Sequence, residues 1–222
     1  MPTPKAVVFD MDGTLTDSES TWAEVRRELT RAAGLPYPEH ATTDMMGMST
    51  PEWSRYCAEV LGLPGTPEEI AAQVIGAVGD AYRHGHIELL PGAADGVRRM
   101  ARRWPLAVAS SSPPELIDAG LDALGVSPLV GVRVSSETAG AGKPDPQVYL
   151  EACRLLGVAP TDATAIEDSA NGIRAAHAAG MKVVAIPQEP HVPDADVLRL
   201  ADLVIDSLDE LTVALVEALF DD

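Results

Sequence analysis

Residues 6–14 read Ala-Val-Val-Phe-Asp-Met-Asp-Gly-Thr, a short apolar run that ends abruptly at two acids. A bounded run of this kind, with β-branched residues, is typical of a strand buried on both faces of a parallel sheet. Asp10 and Asp12 follow at its carboxyl end, which is where open parallel sheets bind their ligands. This stretch therefore predicts the fold class and also the place of a functional site.

Similar apolar runs recur along the chain, separated by segments with helical periodicity. The further predicted strands are 106–109, 130–134, 163–166, 183–186 and 203–205. The helices predicted around them are 92–103, 115–124, 147–156, 169–179 and 208–220. Strands that alternate with helices predict an α/β fold with a Rossmann-like parallel sheet and right-handed crossovers.

Residues 17–87 break this alternation. They contain amphipathic helical stretches, punctuated by prolines, and no strand candidate; the stretches are 19–33, 50–61 and 66–84. The simplest interpretation is an all-helical insertion directly after the first strand. We therefore predict two domains, an α/β core made of 1–16 with 88–222 and a helical cap made of 17–87.

The charge balance limits the classes of function. The 222 residues include 16 basic and 34 acidic side chains, which gives a net charge of −18. Such a surface repels nucleic acid and anionic lipid, so neither is expected as a partner, and a phosphate site would need its own local positive charge. The N-terminus lacks a signal-peptide pattern and no apolar run reaches the ~18 residues that span a bilayer, so we expect a cytoplasmic protein.

Acidic residues end two of the predicted strands. Asp10 and Asp12 are two residues apart in extended chain and point to the same side, while Glu167 and Asp168 follow the strand 163–166. Acids crowded into a crevice are costly unless a cation intervenes, and Mg²⁺ prefers carboxylate and phosphate oxygens. The pattern favours a magnesium site, although loop acids of the first pair could equally cap the next turn.

A lysine and a serine run lie after two other strands. Lys143 follows the flexible Gly140-Ala141-Gly142, where its ammonium would balance the acids and hold a phosphoryl oxygen. The hydroxyls and amides of residues 110–112 are suited to binding phosphate oxygens. Each feature taken alone is also consistent with an ordinary turn or helix cap. Together, acid pair, hydroxyl, lysine and acid pair occur in order at successive strand ends.

This order of motifs resembles that of the haloacid dehalogenase superfamily over essentially the whole chain. The four motifs correspond, in order, to Asp10-Met11-Asp12-Gly13-Thr14, Ser110, Lys143-Pro144 and Glu167-Asp168-Ser169. The subgroup most resembled is the β-phosphoglucomutase and sugar-phosphate phosphatase group, and the helical insertion is similar to its type-1 cap.

The resemblance implies roles for the motif residues. Asp10 would be the nucleophile that forms an aspartyl-phosphate, and Asp12 the general acid and then the general base. Ser110 and Lys143 would bind the phosphoryl oxygens. Asp12 also argues against halide displacement, because dehalogenases of the superfamily lack an acid at that position.

The resemblance also implies a magnesium cofactor and a class of substrate. The Asp10 carboxylate, the Asp12 backbone carbonyl and Asp168 would hold Mg²⁺, with Glu167 a further ligand or close behind them. The expected activity is hydrolysis of small phosphate monoesters of the sugar or polyol class. The expected partner is thus a small phosphorylated metabolite, and a monomer is the expected state.

Two alternatives to a phosphatase stay open. Trp22, Thr50 and Pro113-Pro114 stand where β-phosphoglucomutases carry a histidine, an arginine and a lysine–asparagine pair, which favours hydrolysis over mutase activity. A catalytically silent phosphate-binding protein is the other alternative. It is disfavoured because the motif acids and Lys143 are all present.

The insertion is expected to choose the substrate. The residues predicted to bind it are Ser111 of the core and Trp22, Gly47 and Met48 of the insertion. Tryptophan and methionine at helical spacing are also typical of ordinary core packing. If these side chains do line the site, a polyol or deoxysugar phosphate with a partly apolar body would suit them.

Overall fold

The structure is a computed structural model that describes residues 4–45, 48–189 and 192–221. The chain divides into two compact units. Met1–Asp17 together with Glu88–Asp222 form one, called the core unit below, and Ser18–Ile87 form the other, called the helical unit.

A six-stranded parallel sheet forms the middle of the core unit. The strands of the chain are β1 (Ala6–Phe9), β2 (Thr16–Asp17), β3 (Glu88–Leu89), β4 (Leu106–Ser110), β5 (Val130–Ser135), β6 (Ala163–Glu167), β7 (Lys182–Ala185) and β8 (Leu203–Val204). The order across the large sheet is β5-β4-β1-β6-β7-β8. The predicted α/β class and parallel sheet are confirmed, and β1 lies near the centre.

The α-helices follow the predicted alternation in the core unit. They are α1 (Glu19–Ala32), α2 (Ala41–Met45), α3 (Thr50–Glu59), α4 (Pro67–Arg83), α5 (Ala93–Ala101), α6 (Pro114–Ala123), α7 (Ser136–Ala139), α8 (Gln147–Leu156), α9 (Ala170–Ala178), α10 (Ala195–Leu198) and α11 (Val213–Ala218). The last helix is shorter than the predicted 208–220. The Thr212 hydroxyl caps it by accepting a hydrogen bond from the Leu215 N–H at 3.2 Å, so it begins only at Val213.

The central strand separates two apolar layers. Val7 and Phe9 belong to one buried cluster, with Val97 of α5 and Ile117 of α6. Ala6 and Val8 point the other way into a second cluster, against α8 and α9. All four β1 side chains are fully buried. Successive strand residues face opposite sides of a sheet, so apolar side chains at all four positions are what a covered central strand requires.

A small antiparallel pair, which the sequence pattern did not predict, lies at the two chain crossings. Thr16 of β2 pairs with Leu89 of β3, and Asp17 pairs with Glu88. Strands of two residues are too short to show an alternation of apolar and polar side chains, which explains the omission. The pair holds together the two segments of the core unit from which the helical unit is inserted.

The helical unit consists of α1 to α4. Serine and threonine capping boxes start its two longest later helices, Ser49 with Glu52 for α3 and Thr66 with Glu69 for α4. Their apolar faces are buried, so the predicted amphipathic pattern corresponds to packing inside this unit. Among the described residues, no helix combines the length and the apolar character needed to cross a membrane.

Candidate active site

Three neighbouring strands bring the predicted site residues to one edge of the sheet. β4, β1 and β6 are adjacent and parallel, so Ser110, Asp10 and Glu167 lie at the same ends. Lys143 reaches this edge from the segment that precedes α8, and donates a hydrogen bond to the Ala109 carbonyl at 3.0 Å. The motifs separated along the sequence are therefore one cluster in the fold.

Asp10 is a buried carboxylate at the centre of the cluster. Its side chain is 9% exposed, and its N–H donates to the Ile166 carbonyl at 2.9 Å, which continues the pairing of β1 with β6. The Lys143 ammonium donates to Oδ1 of Asp10. Burial raises the pKa of Asp10 well above its usual range, and the neighbouring acids add to this, although Lys143 opposes it.

Lys143 supplies the local positive charge that an acidic protein needs at a phosphate site. Its ammonium donates to Asp10, to Oε1 of Glu167 at 2.7 Å and to the Ala109 carbonyl. Burial alone would lower the pKa of Lys143, but the Asp10 and Glu167 carboxylates raise it above its ordinary value. The ammonium therefore stays charged over the pH range in which the carboxylates ionise.

Glu167 is fully buried, and donors surround its carboxylate. Besides Lys143, the Tyr149 hydroxyl donates to Oε1 at 2.7 Å. Oε2 accepts from the Asp168 N–H, the Ser169 N–H and the Ser169 hydroxyl, each at 3.1 Å. Sequence reasoning missed Tyr149, because a tyrosine in the apolar face of a predicted helix gives no sign that its hydroxyl reaches a carboxylate.

Gly172 makes room for the Glu167 carboxylate. A Cβ built at Gly172, in the first turn of α9, would overlap this carboxylate. Overpacking of a filled interior typically costs 1–3 kcal/mol. The close approach of α9 to the end of β6 therefore requires a residue without a side chain.

Gly172→Ala is expected to lower the free energy of unfolding by about 1–3 kcal/mol because the new methyl group displaces the Glu167 carboxylate. Gly131→Ala is the matched control, since a Cβ at Gly131 meets no atom within 4 Å and its backbone is not left-handed. Urea denaturation of the two variants measures the difference. Equal stability of both variants would contradict the packing described for Gly172.

Asp168 lies beside the turn that follows β1. It accepts a hydrogen bond from the Thr14 hydroxyl at 2.9 Å. Gly13 has φ +87°, and a Cβ there would overlap the Asp168 carboxylate, so both the backbone and the space require glycine. Burial first and Glu167 second raise the pKa of Asp168 to about 8.

The acids of this cluster form a group suited to a divalent cation. Asp10, Glu167 and Asp168 each offer a carboxylate oxygen, and these oxygens lie within 4.8 Å of one another. Lys143 alone balances them, and the raised pKa values of Asp10 and Asp168 report negative charge that is not fully compensated. Oxygen donors of this charge fit a hard cation such as Mg²⁺.

Asp12 occupies a different environment from Asp10. It is half-buried, and its Oδ2 accepts from the Ser112 hydroxyl at 2.6 Å and from the Ser110 hydroxyl at 3.3 Å. The Ser112 N–H donates in turn to the Ser110 oxygen at 2.9 Å. The acid expected to move protons is thus held by two hydroxyls beside the buried nucleophile.

The serine run divides differently from the sequence prediction. Ser110 and Ser112 are buried and reach Asp12, whereas Ser111 is exposed. Ser112 was missed as a site residue, and the only signal for it was its place in the run. The predicted contact of Ser111 with substrate stays a prediction.

The residues predicted to bind substrate in the insertion belong to the helical unit. The half-buried Trp22 meets the Trp53 ring edge to face at 5.9 Å, and the Arg26 guanidinium lies 5.6 Å from the Trp22 ring centre. Met48 is half-buried, and Gly47 lies outside the described residues. The role of these three residues in substrate binding stays a prediction.

Comparison with known proteins agrees with the motifs. Residues 4–180 match the haloacid dehalogenase-like hydrolase family. Validoxylamine A 7'-phosphate phosphatase of Streptomyces hygroscopicus subsp. limoneus is 30% identical over 93% of this chain and 95% of its own. Hexitol phosphatase B of Escherichia coli K12 is 31% identical over 96% of this chain and 97% of its own.

A solved structure shares the complete fold. CbbY from Rhodobacter sphaeroides, crystallised in complex with phosphate, superimposes with a TM-score of 0.82 at 28% identity, covering 95% of this chain and 98% of that one. The match therefore includes both the sheet and the inserted helices. The family predicted from four short motifs is confirmed, and the chain belongs to the haloacid dehalogenase-like hydrolases.

Proposed function

We propose that this hydrolase is a magnesium-dependent phosphatase that cleaves small phosphate monoesters of the sugar or polyol class. The observation that supports this most directly is the pairing of the buried Asp10 carboxylate with Lys143, with the half-buried Asp12 in the next turn. Both curated relatives described above are named as phosphatases, one of them for hexitols. Hydrolysis of phosphate monoesters is the reaction that these features share.

The first step in this proposal transfers the phosphoryl group to Asp10. A carboxylate oxygen of Asp10 forms a bond to phosphorus while the bond from phosphorus to the substrate oxygen breaks. Asp12 donates a proton to that leaving oxygen, so an alcohol is released. Lys143 lies where its ammonium can neutralise the charge that develops on the phosphoryl oxygens.

The second step releases phosphate and restores the enzyme. Asp12, now ionised, accepts a proton from a water molecule whose oxygen attacks phosphorus. The bond from phosphorus to the Asp10 oxygen breaks, and the carboxylate is regenerated. The Ser110 and Ser112 hydroxyls hold one Asp12 oxygen throughout, which limits the acid to a small range of positions.

The buried acids complete the proposed site by holding magnesium. Asp10, Asp168 and the Asp12 backbone carbonyl would be its protein ligands. When bound, the cation neutralises phosphate charge and so favours approach of the anionic Asp10. The fit rests on the crowding of carboxylates described above and on their raised pKa values.

Magnesium is expected to stabilise the fold more above the pKa of Asp168 than below it. Without metal, the folded protein keeps a proton on Asp168 up to about pH 8, while the unfolded chain releases it near the ordinary value of 3.8. Stability without metal therefore falls as pH rises through this window, by at most about 1.4 kcal/mol per pH unit for one group. Cation binding to the ionised acid offsets that loss.

Thermal melting with magnesium or with a chelator, at pH values below and above the pKa of Asp168, measures this effect. Asp168→Asn is the control and should lose both the magnesium gain and its pH dependence. A wild-type gain of the same size at both pH values would contradict the role given to Asp168.

Ser112→Ala is expected to lower kcat by about tenfold, because a hydrogen bond to a charged group contributes about 1.5–3 kcal/mol and Asp12 would lose its shorter one. The control is Ser136→Ala, since Ser136 is also buried but its hydroxyl has no partner among the described residues. Steady-state kinetics and melting temperatures compare the two variants. An unchanged kcat in Ser112→Ala would show that Ser112 does not position Asp12.

A panel of sugar, polyol and nucleotide monophosphates tests the proposed substrate class. We expect phosphate release that requires magnesium and is fastest for sugar or polyol phosphates. Phosphate release confined to nucleotides would reject the substrate class. Isomerisation of a sugar monophosphate that needs a bisphosphate primer would identify a mutase instead, and no reaction with any compound would indicate a silent binding protein.

A further inference from the structure

We propose that Tyr149 is a positioning residue for phosphoryl binding, acting through Glu167 on Lys143, and that Glu167 serves this lysine rather than the metal. The proposal rests on the phosphatase function proposed above. It adds a residue from the middle of α8 that belongs to none of the four motifs, and it assigns the two strand-end acids of β6 to different tasks.

The hydrogen bonds of Glu167 leave its carboxylate little capacity for a cation. A carboxylate accepts at about four lone-pair sites. Here Oε1 accepts from Lys143 and Tyr149, and Oε2 accepts from two N–H groups and one hydroxyl. The neighbouring Asp168 has one side-chain donor, the Thr14 hydroxyl. The two acids therefore differ, and Asp168 is the one suited to bind metal.

Tyr149 contacts both members of the Glu167–Lys143 ion pair. Its hydroxyl donates to Glu167 at 2.7 Å, and the Lys143 ammonium lies 5.0 Å from its ring centre. A cation over the face of an aromatic ring is attracted to it, more strongly where water is excluded. The Tyr149 side chain is fully buried, so one rigid side chain restricts both the anion and the cation.

The surrounding elements prevent Glu167 from taking another position. It ends β6, its backbone carbonyl accepts from the Ile186 N–H at 2.7 Å, and the glycine at 172 brings α9 directly against its carboxylate. α8 supplies Tyr149 from another side. Since Glu167 is fixed, the ammonium bonded to it is fixed as well, at a place where it also reaches Asp10.

A purely structural role for Tyr149 makes a different prediction. A buried tyrosine whose hydroxyl only satisfies a carboxylate would affect stability, and its loss would act independently of Lys143. A positioning role requires the two losses to depend on each other, because the tyrosine contributes nothing once the ammonium is gone. Double-mutant cycles measure such dependence between residues in contact.

The test uses the full-length chain with magnesium bound and inorganic phosphate as the probe, measured by titration calorimetry. The variants are Tyr149→Phe, which keeps the ring near Lys143, Lys143→Met and the double substitution. We expect Tyr149→Phe to weaken phosphate binding by about tenfold, as for loss of a hydrogen bond to a charged group. In the Lys143→Met background the same change should have less than about a twofold effect, since coupled losses do not add.

A second titration, with magnesium alone, separates the two assignments of Glu167. We expect Tyr149→Phe to leave magnesium affinity unchanged and Asp168→Asn to abolish it. Equal factors for Tyr149→Phe in both backgrounds, an unaltered phosphate affinity, or a loss of magnesium binding would each overturn the proposal. If Lys143→Met binds no phosphate, the magnesium titration decides alone. Because both titrations measure binding, a failure of the phosphatase function would appear separately, as absent turnover in the wild type.

Discussion

Asp10→Asn is expected to abolish phosphate release while leaving the fold intact. The amide is a much weaker nucleophile than the carboxylate, and loss of a nucleophile in comparable enzymes lowers kcat by more than about 10⁴-fold. Asparagine has nearly the same shape and can still accept from Lys143 through its carbonyl oxygen. The substitution also removes one of the crowded acids, so the melting temperature without metal should not fall.

The measurement compares kcat and thermal melting for wild type and Asp10→Asn on the best substrate of the panel. The matched control is Asp17→Asn, the same change at an exposed acid on β2. Full activity in Asp10→Asn would reject the assignment of the nucleophile. Loss of activity together with a collapsed melting transition would show instead that Asp10 supports the fold.

Asp12→Asn is expected to lower kcat/KM by about 10²–10⁴-fold for an alkyl phosphate, because the leaving oxygen would depart without a proton. For an aryl phosphate with an acidic leaving group the loss should be much smaller, since that oxygen departs easily as an anion. The kinetic constant kcat/KM is informative here because it includes phosphoryl transfer to Asp10 but not the later hydrolysis.

The two substrates provide the control for each other within one variant. Equal losses of kcat/KM for the alkyl and aryl phosphates would contradict the role of Asp12 as general acid. The Ser112→Ala variant should show the same preference in weaker form, because Ser112 acts only by holding Asp12.

The parts of the fold that follow from local pattern could be predicted from the sequence. β1 has its predicted limits, Ala6–Phe9, because a strand covered on both faces must be apolar at every position and ends where the acids begin. Parallel pairing of neighbouring strands then places Asp10 and Glu167 at one edge. The need for a local positive charge in a protein of net charge −18 also pointed to Lys143, which lies in the cluster.

Contacts between residues distant in the sequence could not be predicted in the same way. Ser112 bonds to Asp12 across 100 positions, and Tyr149 bonds to Glu167 across 18. Helical periodicity shows that Tyr149 faces the interior, but it contains no information about which buried group its hydroxyl meets. The crowding of Glu167 against Gly172 depends similarly on how closely α9 approaches the sheet.

The helical unit illustrates a further limit of pattern alone. Amphipathic spacing predicted its helices, and the capping boxes of α3 and α4 explain where two of them begin. Within this unit, the Arg26 guanidinium lies between the Trp22 and Trp53 rings, 5.6 Å and 5.5 Å from their centres. Such stacking depends on the relative rotation of α1 and α3, which the period of a single helix does not fix.

Trapping of an acyl phosphate with borohydride tests the central claim most directly. Borohydride reduces an aspartyl-phosphate to homoserine but leaves an ordinary aspartate unchanged, and mass spectrometry of the peptide spanning residues 6–14 locates the change. With substrate and magnesium present, we expect conversion at position 10 and none when either is omitted. Conversion at another acid, or none during active turnover, would contradict a mechanism in which Asp10 carries the phosphoryl group.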